Sequence, residues 1–365
     1  MAYATIDKPS SYFNTVLNTG DNTSPKSITG FGFQPDLVWS KTRTSGNNHT
    51  LFDVVRGAGS NKELMSNSTS AEGGGATGTF GYISAFNTDG FTATAGSTNS
   101  AYLNNSGDTY VNWGWKANAT GVSNTSGTIT STVSANTTSG FSIVSFTGNG
   151  SNSATVGHGL GVVPKMIIEK SRTTSFDGSW WVNHNKVTSG TLRLNSNDAS
   201  RTDFPSGWIN ESPTSSTFSF TAGSGGTVNN VNYSGDAYIA YCFAEVKGFS
   251  KFGSYTGNGS TDGTFVYTGF TPAFVIMKRS DSTGNWSVYD NKRPAYNVKN
   301  LFLLANGTGA EETRDSLDFL SNGFKLRNTD LNANTNINLS GATYIYMCFA
   351  SNPFVSSKAI PTTAR

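Results

Sequence analysis

Three sequence landmarks recur in the same order three times, and that recurrence limits the fold more than any other feature of the chain. The first is Thr19-Gly20-Asp21-Asn22, repeated at Thr147-Gly148-Asn149-Gly150 and Thr256-Gly257-Asn258-Gly259. The second is Gly30-Phe31-Gly32-Phe33-Gln34-Pro35-Asp36-Leu37-Val38-Trp39-Ser40-Lys41, echoed at Gly159–Lys170 and Thr268–Lys278. The third closes each copy: Ser106-Gly107-Asp108-Thr109-Tyr110 to Trp115, Ser234-Gly235-Asp236-Ala237-Tyr238 to Phe243, and Ser340-Gly341-Ala342-Thr343-Tyr344 to Phe349. Each copy is roughly 110 to 120 residues long, too long for a solenoid turn and long enough to bury a core of its own. The repeats therefore predict three complete domains, over 1–116, 127–246 and 249–354, followed by a C-terminal arm over 355–365. Residues 117–126 read as a loop-like linker.

Period-two alternation predicts strands. In Tyr238-Ile239-Ala240-Tyr241-Cys242-Phe243, the residues Ile239, Tyr241 and Phe243 share one face, and Tyr238, Ala240 and Cys242 share the other. The run Ala273–Met277 is apolar on both faces, as a central strand requires. Asp89-Gly90 and Asn322-Gly323 are hairpin signals. One segment, Ala310–Leu317, has the composition of a short helix. The expected class is all-β, three tandem antiparallel β-sandwiches of jelly-roll, concanavalin-like type.

Composition narrows function. Charged residues are 13% of the 365, and 25 Lys and Arg face 23 Asp and Glu. That balance lacks the basic footprint nucleic acid requires, so no nucleic-acid partner is expected. No apolar run is long enough to insert in a membrane, and the first residues, Met1-Ala2-Tyr3, do not open a signal peptide. Cys242 and Cys348 occupy one slot that Gly114 fills in the first copy, which predicts a small buried site and no disulfide.

Catalytic patterns are missing. The three histidines, His49, His158 and His184, form no metal-ligand spacing. His184 aligns with Asp53 and Asp290 and reads as a polar turn position. Asp53/Arg56 and Asp290/Arg293 read as local ion pairs of the kind that contribute little at a surface. Neither paired carboxylates on one strand face nor a nucleophile elbow occurs. No enzyme activity, metal or cofactor is expected.

Surfaces rich in Ser, Thr and Asn with exposed rings suit sugars. Trp115, Phe243 and Phe349 align, as do Trp180 and Trp286, so these are expected in the core. Trp181, Trp208 and Tyr233 lack counterparts and are the glycan-binding candidates. Trp181 follows Trp180 and must point to the opposite face. In the C-terminal arm, Ile360, Pro361 and Arg365 are candidates for contact with another subunit.

The phrases Gly30–Trp39, Thr109-Tyr110-Val111-Asn112-Trp113-Gly114-Trp115-Lys116-Ala117 and Ser139-Gly140-Phe141-Ser142-Ile143-Val144 resemble a repeated module of virion-associated proteins in marine bacteriophages. Asn352-Pro353-Phe354 and Thr362-Thr363-Ala364-Arg365 are similar to the same group. The resemblance implies a jelly-roll, lectin-like module in a tail or fibre protein that meets host surface polysaccharide. The alternative role is a capsid decoration protein binding other virion subunits; a polysaccharide-degrading enzyme ranks below both. It also implies a protein made in the host cytoplasm, located in the virion and homo-oligomeric there.

Overall fold

A computed structural model describes residues 4–327 and 336–353. The first third of the chain contributes β1 (Phe13–Thr19), β2 (Lys26–Thr29), β3 (Leu37–Thr42), β4 (Thr50–Asp53), β5 (Tyr82–Asn87), β6 (Gly90–Thr94) and β7 (Thr109–Trp115). A hairpin follows, β8 (Val122–Asn124) and β9 (Ser131–Asn136). The second third runs β10 (Phe141–Thr147), β11 (Thr155–Gly157), β12 (Met166–Ser171), β13 (Trp180–His184), β14 (Leu192–Arg193), β15 (Trp208–Ile209), β16 (Thr217–Thr221) and β17 (Ala237–Phe243). The last third has β18 (Ser250–Thr256), β19 (Phe265–Tyr267), β20 (Phe270–Arg279), β21 (Trp286–Asp290), β22 (Lys299–Leu304), β23 (Glu312–Leu320), β24 (Gly323–Leu326) and β25 (Thr343–Pro353). The chain is all-β and antiparallel, with helix among the described residues limited to short turns.

The repeat is visible in topology. The main sheet of each third has the same order: β1-β7-β3-β4, β10-β17-β12-β13 and β18-β25-β20-β21. The smaller layer repeats as β2-β6-β5, β11-β16-β15 and β19-β24-β23. The two hairpin signals sit where β5 turns into β6 and β23 into β24. The apolar runs after the second landmark are the interior strands β3, β12 and β20, flanked on both edges.

Two expectations are corrected. Residues 117–126 are not all loop: β8 pairs with β9, which covers the outer edge of β10. Nor is Ala310–Leu317 helical, because β23 begins at Glu312 and pairs on both sides. Ser316, Leu317 and Phe319 are buried there, and cross-strand pairing overrides a weak helical propensity.

Alternation sends each main strand's residues into two different cores. Ile239, Tyr241 and Phe243 enter one central cluster together with Trp113 and Trp115 from the first third and Ile345, Met347 and Phe349 from the last. Tyr238, Ala240 and Cys242 enter an outer cluster that belongs to the middle third alone, and the other two thirds have outer clusters of their own. The expectation that each unit buries its core by itself therefore holds only for the outer layers. At the centre, the aligned rings of the third landmark meet each other. Trp115–Phe243, Phe243–Phe349 and Trp115–Phe349 have centroid separations of 6.3, 6.1 and 5.9 Å. A near-equilateral triangle of equivalent side chains marks a pseudo-threefold axis.

The glycine and tyrosine of the landmarks are architectural. Gly107, Gly235 and Gly341 have φ of +82°, +87° and +77°, the left-handed region that favours glycine. Tyr110, Tyr238 and Tyr344 accept through their hydroxyls from the backbone N–H groups of Asn105, Tyr233 and Leu339. Asn104, Asn232 and Asn338 then tie the first landmark to the third, each donating from Nδ2 to the side-chain oxygen of Asp21, Asn149 or Asn258.

A shared centre predicts one cooperative unfolding event. Phe349→Ala removes a corner of the triangle and costs about 3–5 kcal/mol. Tryptophan fluorescence and far-UV circular dichroism should still report one coincident denaturant transition, moved to lower denaturant. Separate transitions, one of them at the wild-type midpoint, would show that the units are independent.

Candidate functional site

Many of the buried ionisable groups lie on the seams between units. At each seam, an aligned ring N–H donates to an aligned carbonyl of the neighbour: Trp180 Nε1 to Met65 O at 2.7 Å, Trp286 Nε1 to Arg193 O at 2.9 Å, and His49 Nε2 to Leu304 O at 3.0 Å. A backbone bond recurs beside it, from Glu72 to Arg172, Ser200 to Ser280 and Glu311 to Arg43. The contacts run first unit to second, second to third and third back to first. The ring is closed.

The Asp53/His184/Asp290 position is the third element of each seam. Asp53 Oδ2 accepts from Tyr241 Oη at 2.8 Å, and Asp290 Oδ2 accepts from Trp113 Nε1 at 3.0 Å. The residue aligned with Tyr241 and Trp113 in the third unit is Met347, which offers no N–H or O–H. There the polarity reverses: His184 Nε2 donates to the Tyr346 carbonyl at 3.1 Å. His184 Nδ1 accepts from the Lys186 N–H, just as Asp53 Oδ1 and Asp290 Oδ1 accept from backbone N–H groups two and three residues on.

The turn was read correctly from sequence, but its exposure was not. Arg56 with Asp53 (2.5 Å) and Arg293 with Asp290 (2.6 Å) have no side-chain exposure. Each arginine also reaches a glutamate, Glu72 or Glu311, which in turn pairs with Arg172 or Arg43 of the next unit. Val187 takes the arginine position in the middle unit, so the seam between second and third units lacks the buried Asp–Arg pair.

The histidines are held neutral by geometry. His49 Nδ1 accepts from Trp39 Nε1 at 2.9 Å, which leaves its proton on Nε2 for the Leu304 carbonyl. Burial lowers the pKa of all three, His184 to about 4. Lys41, Lys170 and Lys278, which close the second landmark, are buried with their ammonium groups on backbone carbonyls. Burial brings them down to about 8, 7 and 7. Among the described residues no group of three or more His, Cys, Asp or Glu is placed to hold a metal ion.

One buried acid stands apart. Glu169 on β12 faces the outer core of the middle unit, between Trp181 and Ala240, and neither carboxyl oxygen has a hydrogen-bond partner. Burial raises its pKa well above the usual carboxylate range.

The predicted ring candidates separate. Trp181 points away from Trp180 as expected, but the opposite face of its sheet is covered by the smaller layer. It is 1% exposed, edge-on to Phe204, with Nε1 bonded to Asp177. Trp208 is also buried and bonds Glu211. Both are corrected to core residues: Trp181 because a main sheet sandwiched on both sides has no wet face, Trp208 because β15 of the smaller layer turns it into the outer core of the middle unit. Ile360, Pro361 and Arg365 lie outside the described residues.

Tyr233 remains at the surface and has a partner that sequence reasoning missed. Phe176, 48% exposed, stacks on it with centroids 5.6 Å apart and planes 18° from parallel. Phe176 rides on the loop between β12 and β13, which is two residues longer than its equivalents. Lys170 stands ten residues before Trp180, whereas Lys41 and Lys278 stand eight before His49 and Trp286. Asp236 fixes that loop, accepting from Ser171 Oγ at 2.9 Å and Ser175 N at 3.1 Å. Burial pushes Asp236 up, but these bonds outweigh it and hold the carboxyl below its ordinary value. The same residue lies three positions after Tyr233, so both halves of the ring pair are anchored to one point. The result is a firm aromatic platform bordered by Ser, Thr and Asn.

The family model described as a domain of unknown function, DUF7483, matches residues 8–353. The chain belongs to the DUF7483 family. No curated protein and no solved structure matches it. The DUF7483 match spans all three units, as their joint core requires. Within the DUF7483 chain, the signal for Phe176 was legible as a two-residue insertion in one copy of the repeat. The seam network was not legible, because it needs the ring to be closed in space.

Three outcomes test the seams and the buried groups around them. Asp290→Ala leaves buried Arg293 with Glu311 as its one remaining acid and leaves the Trp113 N–H without its acceptor, and should cost about 3 kcal/mol, read from denaturant midpoints. The depressed histidines contribute stability that is present above their unfolded pKa, near 6.5, and lost as pH falls toward about 4. Glu169 has the opposite sign: with a raised folded pKa, its contribution is complete below the ordinary carboxylate value and declines as pH rises. Glu169→Gln should therefore gain on wild type progressively as pH rises above 4.5. A difference between the two proteins that does not change with pH would exclude a protonated Glu169.

Proposed function

We propose that this DUF7483 chain is a non-enzymatic bacteriophage virion component of tail or fibre type, built from three copies of a jelly-roll, lectin-like module, that recognises glycans of the host surface. The observation that carries the glycan reading is the stacked Phe176–Tyr233 pair on a loop lengthened in only one unit. Shared architecture needs neither ring, since the other two units close without them. A ring face accepts the C–H side of a sugar, while neighbouring hydroxyls and amides meet its OH groups. Loops on a rigid scaffold are where such recognition ordinarily sits. The closed ring supplies that scaffold, and its buried charges are committed to holding it.

A glycan array probed with the wild-type chain and with Phe176→Ala/Tyr233→Ala tests this reading. The expected result is binding to host surface polysaccharide that falls about tenfold or more in the double variant, the ~1.4 kcal/mol of one good stacking contact. A wild-type chain that binds no glycan and instead captures other virion subunits would replace it with the decoration role.

A further inference from the structure

The third unit carries a cleft of its own. After β21 the chain passes through Asn291 to Val298 and forms a cleft of about 330 Å³ with Thr271, Phe319 and Ser351. That is the lower end of the size that holds small ligands, roughly 300 Å³ upward. Tyr296 forms one wall and is 85% exposed, the most of the large hydrophobic side chains described. Lys299 lies at the base and is 2% exposed. Its Nζ donates to the carbonyls of Pro294 at 2.7 Å and Ala295 at 3.1 Å, and sits 5.4 Å from the Phe319 ring centroid. An ammonium has three N–H donors, so two are used by the backbone and the third is left. The carboxylates that act on Lys299 from a distance, Asp290 and Asp318, are already paired with Arg293 and Arg327. The cleft thus joins an open ring face to a desolvated cation whose nearest acids are engaged elsewhere.

We propose that this cleft binds an acidic saccharide, with the pyranose ring against Tyr296 and the carboxylate of a uronic acid on Lys299. The inference shares the glycan-binding reading above but concerns a different unit and different residues. A charged hydrogen bond in a dry site is stronger than a neutral one, so the acid group supplies selectivity and the ring supplies general sugar affinity. Asn291 borders the same cleft and is placed to meet hydroxyl groups.

Calorimetric titration of the full chain with a short oligoglucuronate and with a neutral oligoglucoside of equal length tests the assignment. Wild type should bind the acidic oligomer about tenfold or more tightly than the neutral one. Tyr296→Ala should weaken both about tenfold, Lys299→Met should abolish the preference for the acid, and Phe176→Ala should change neither. Absence of binding to either oligomer, binding that Tyr296→Ala leaves intact, or an acid preference that survives Lys299→Met would overturn it. Should Lys299→Met not fold, competition on wild type by free glucuronate against free glucose decides the acid preference. Binding that depends on Phe176 and not on Tyr296 would sink this site and leave the Phe176–Tyr233 platform standing; failure of the array test above with this titration intact would sink the platform alone.

Discussion

Everything in this molecule depends on three side chains meeting at one point. Trp115, Phe243 and Phe349 hold equivalent positions on β7, β17 and β25, and their mutual contact turns three sheets into the walls of one core. Because each main sheet is covered inside by the other units and outside by its own smaller layer, it has no wet face. That double coverage explains why so few leucines suffice: aromatic rings fill two layers from one strand, alternate residues serving each.

Sequence periodicity was enough to assign the strand faces, because period two is a local property that each hexapeptide carries within itself. Ile239, Tyr241 and Phe243 on one side and Tyr238, Ala240 and Cys242 on the other fell as their alternation requires. The alignment of copies likewise identified the core rings. What alternation does not carry is how many layers lie beyond a given face. Trp181 was placed on the correct side of β13, yet that side is buried. The same gap affected Asp53, Asp290 and their arginines: the turn is local and readable, whereas its burial depends on Tyr241 and Trp113 from other units.

The seams also show how one geometric position tolerates different chemistry. Aspartate accepts where the neighbour brings a tyrosine hydroxyl or an indole N–H, and histidine donates where the neighbour brings only a carbonyl. The arginine beside the aspartates becomes valine beside the histidine, so the charge disappears with its counter-charge. A buried charge without a partner is far more costly than no charge at all, and the paired change avoids that state in every unit.

Joining the three units in one chain has a consequence for how many copies of a surface feature each molecule carries. A ring of three separate identical subunits would have to repeat every surface feature three times, because each subunit has the same sequence. Here a two-residue insertion or a projecting tyrosine occurs once, on one side. Whatever meets Phe176 meets a single copy per molecule, so the chain obtains no avidity from its own symmetry. Were such a feature to act by multiple attachment, the valency would be set by how many chains are held together and at what spacing, not by the internal repeat of the protein.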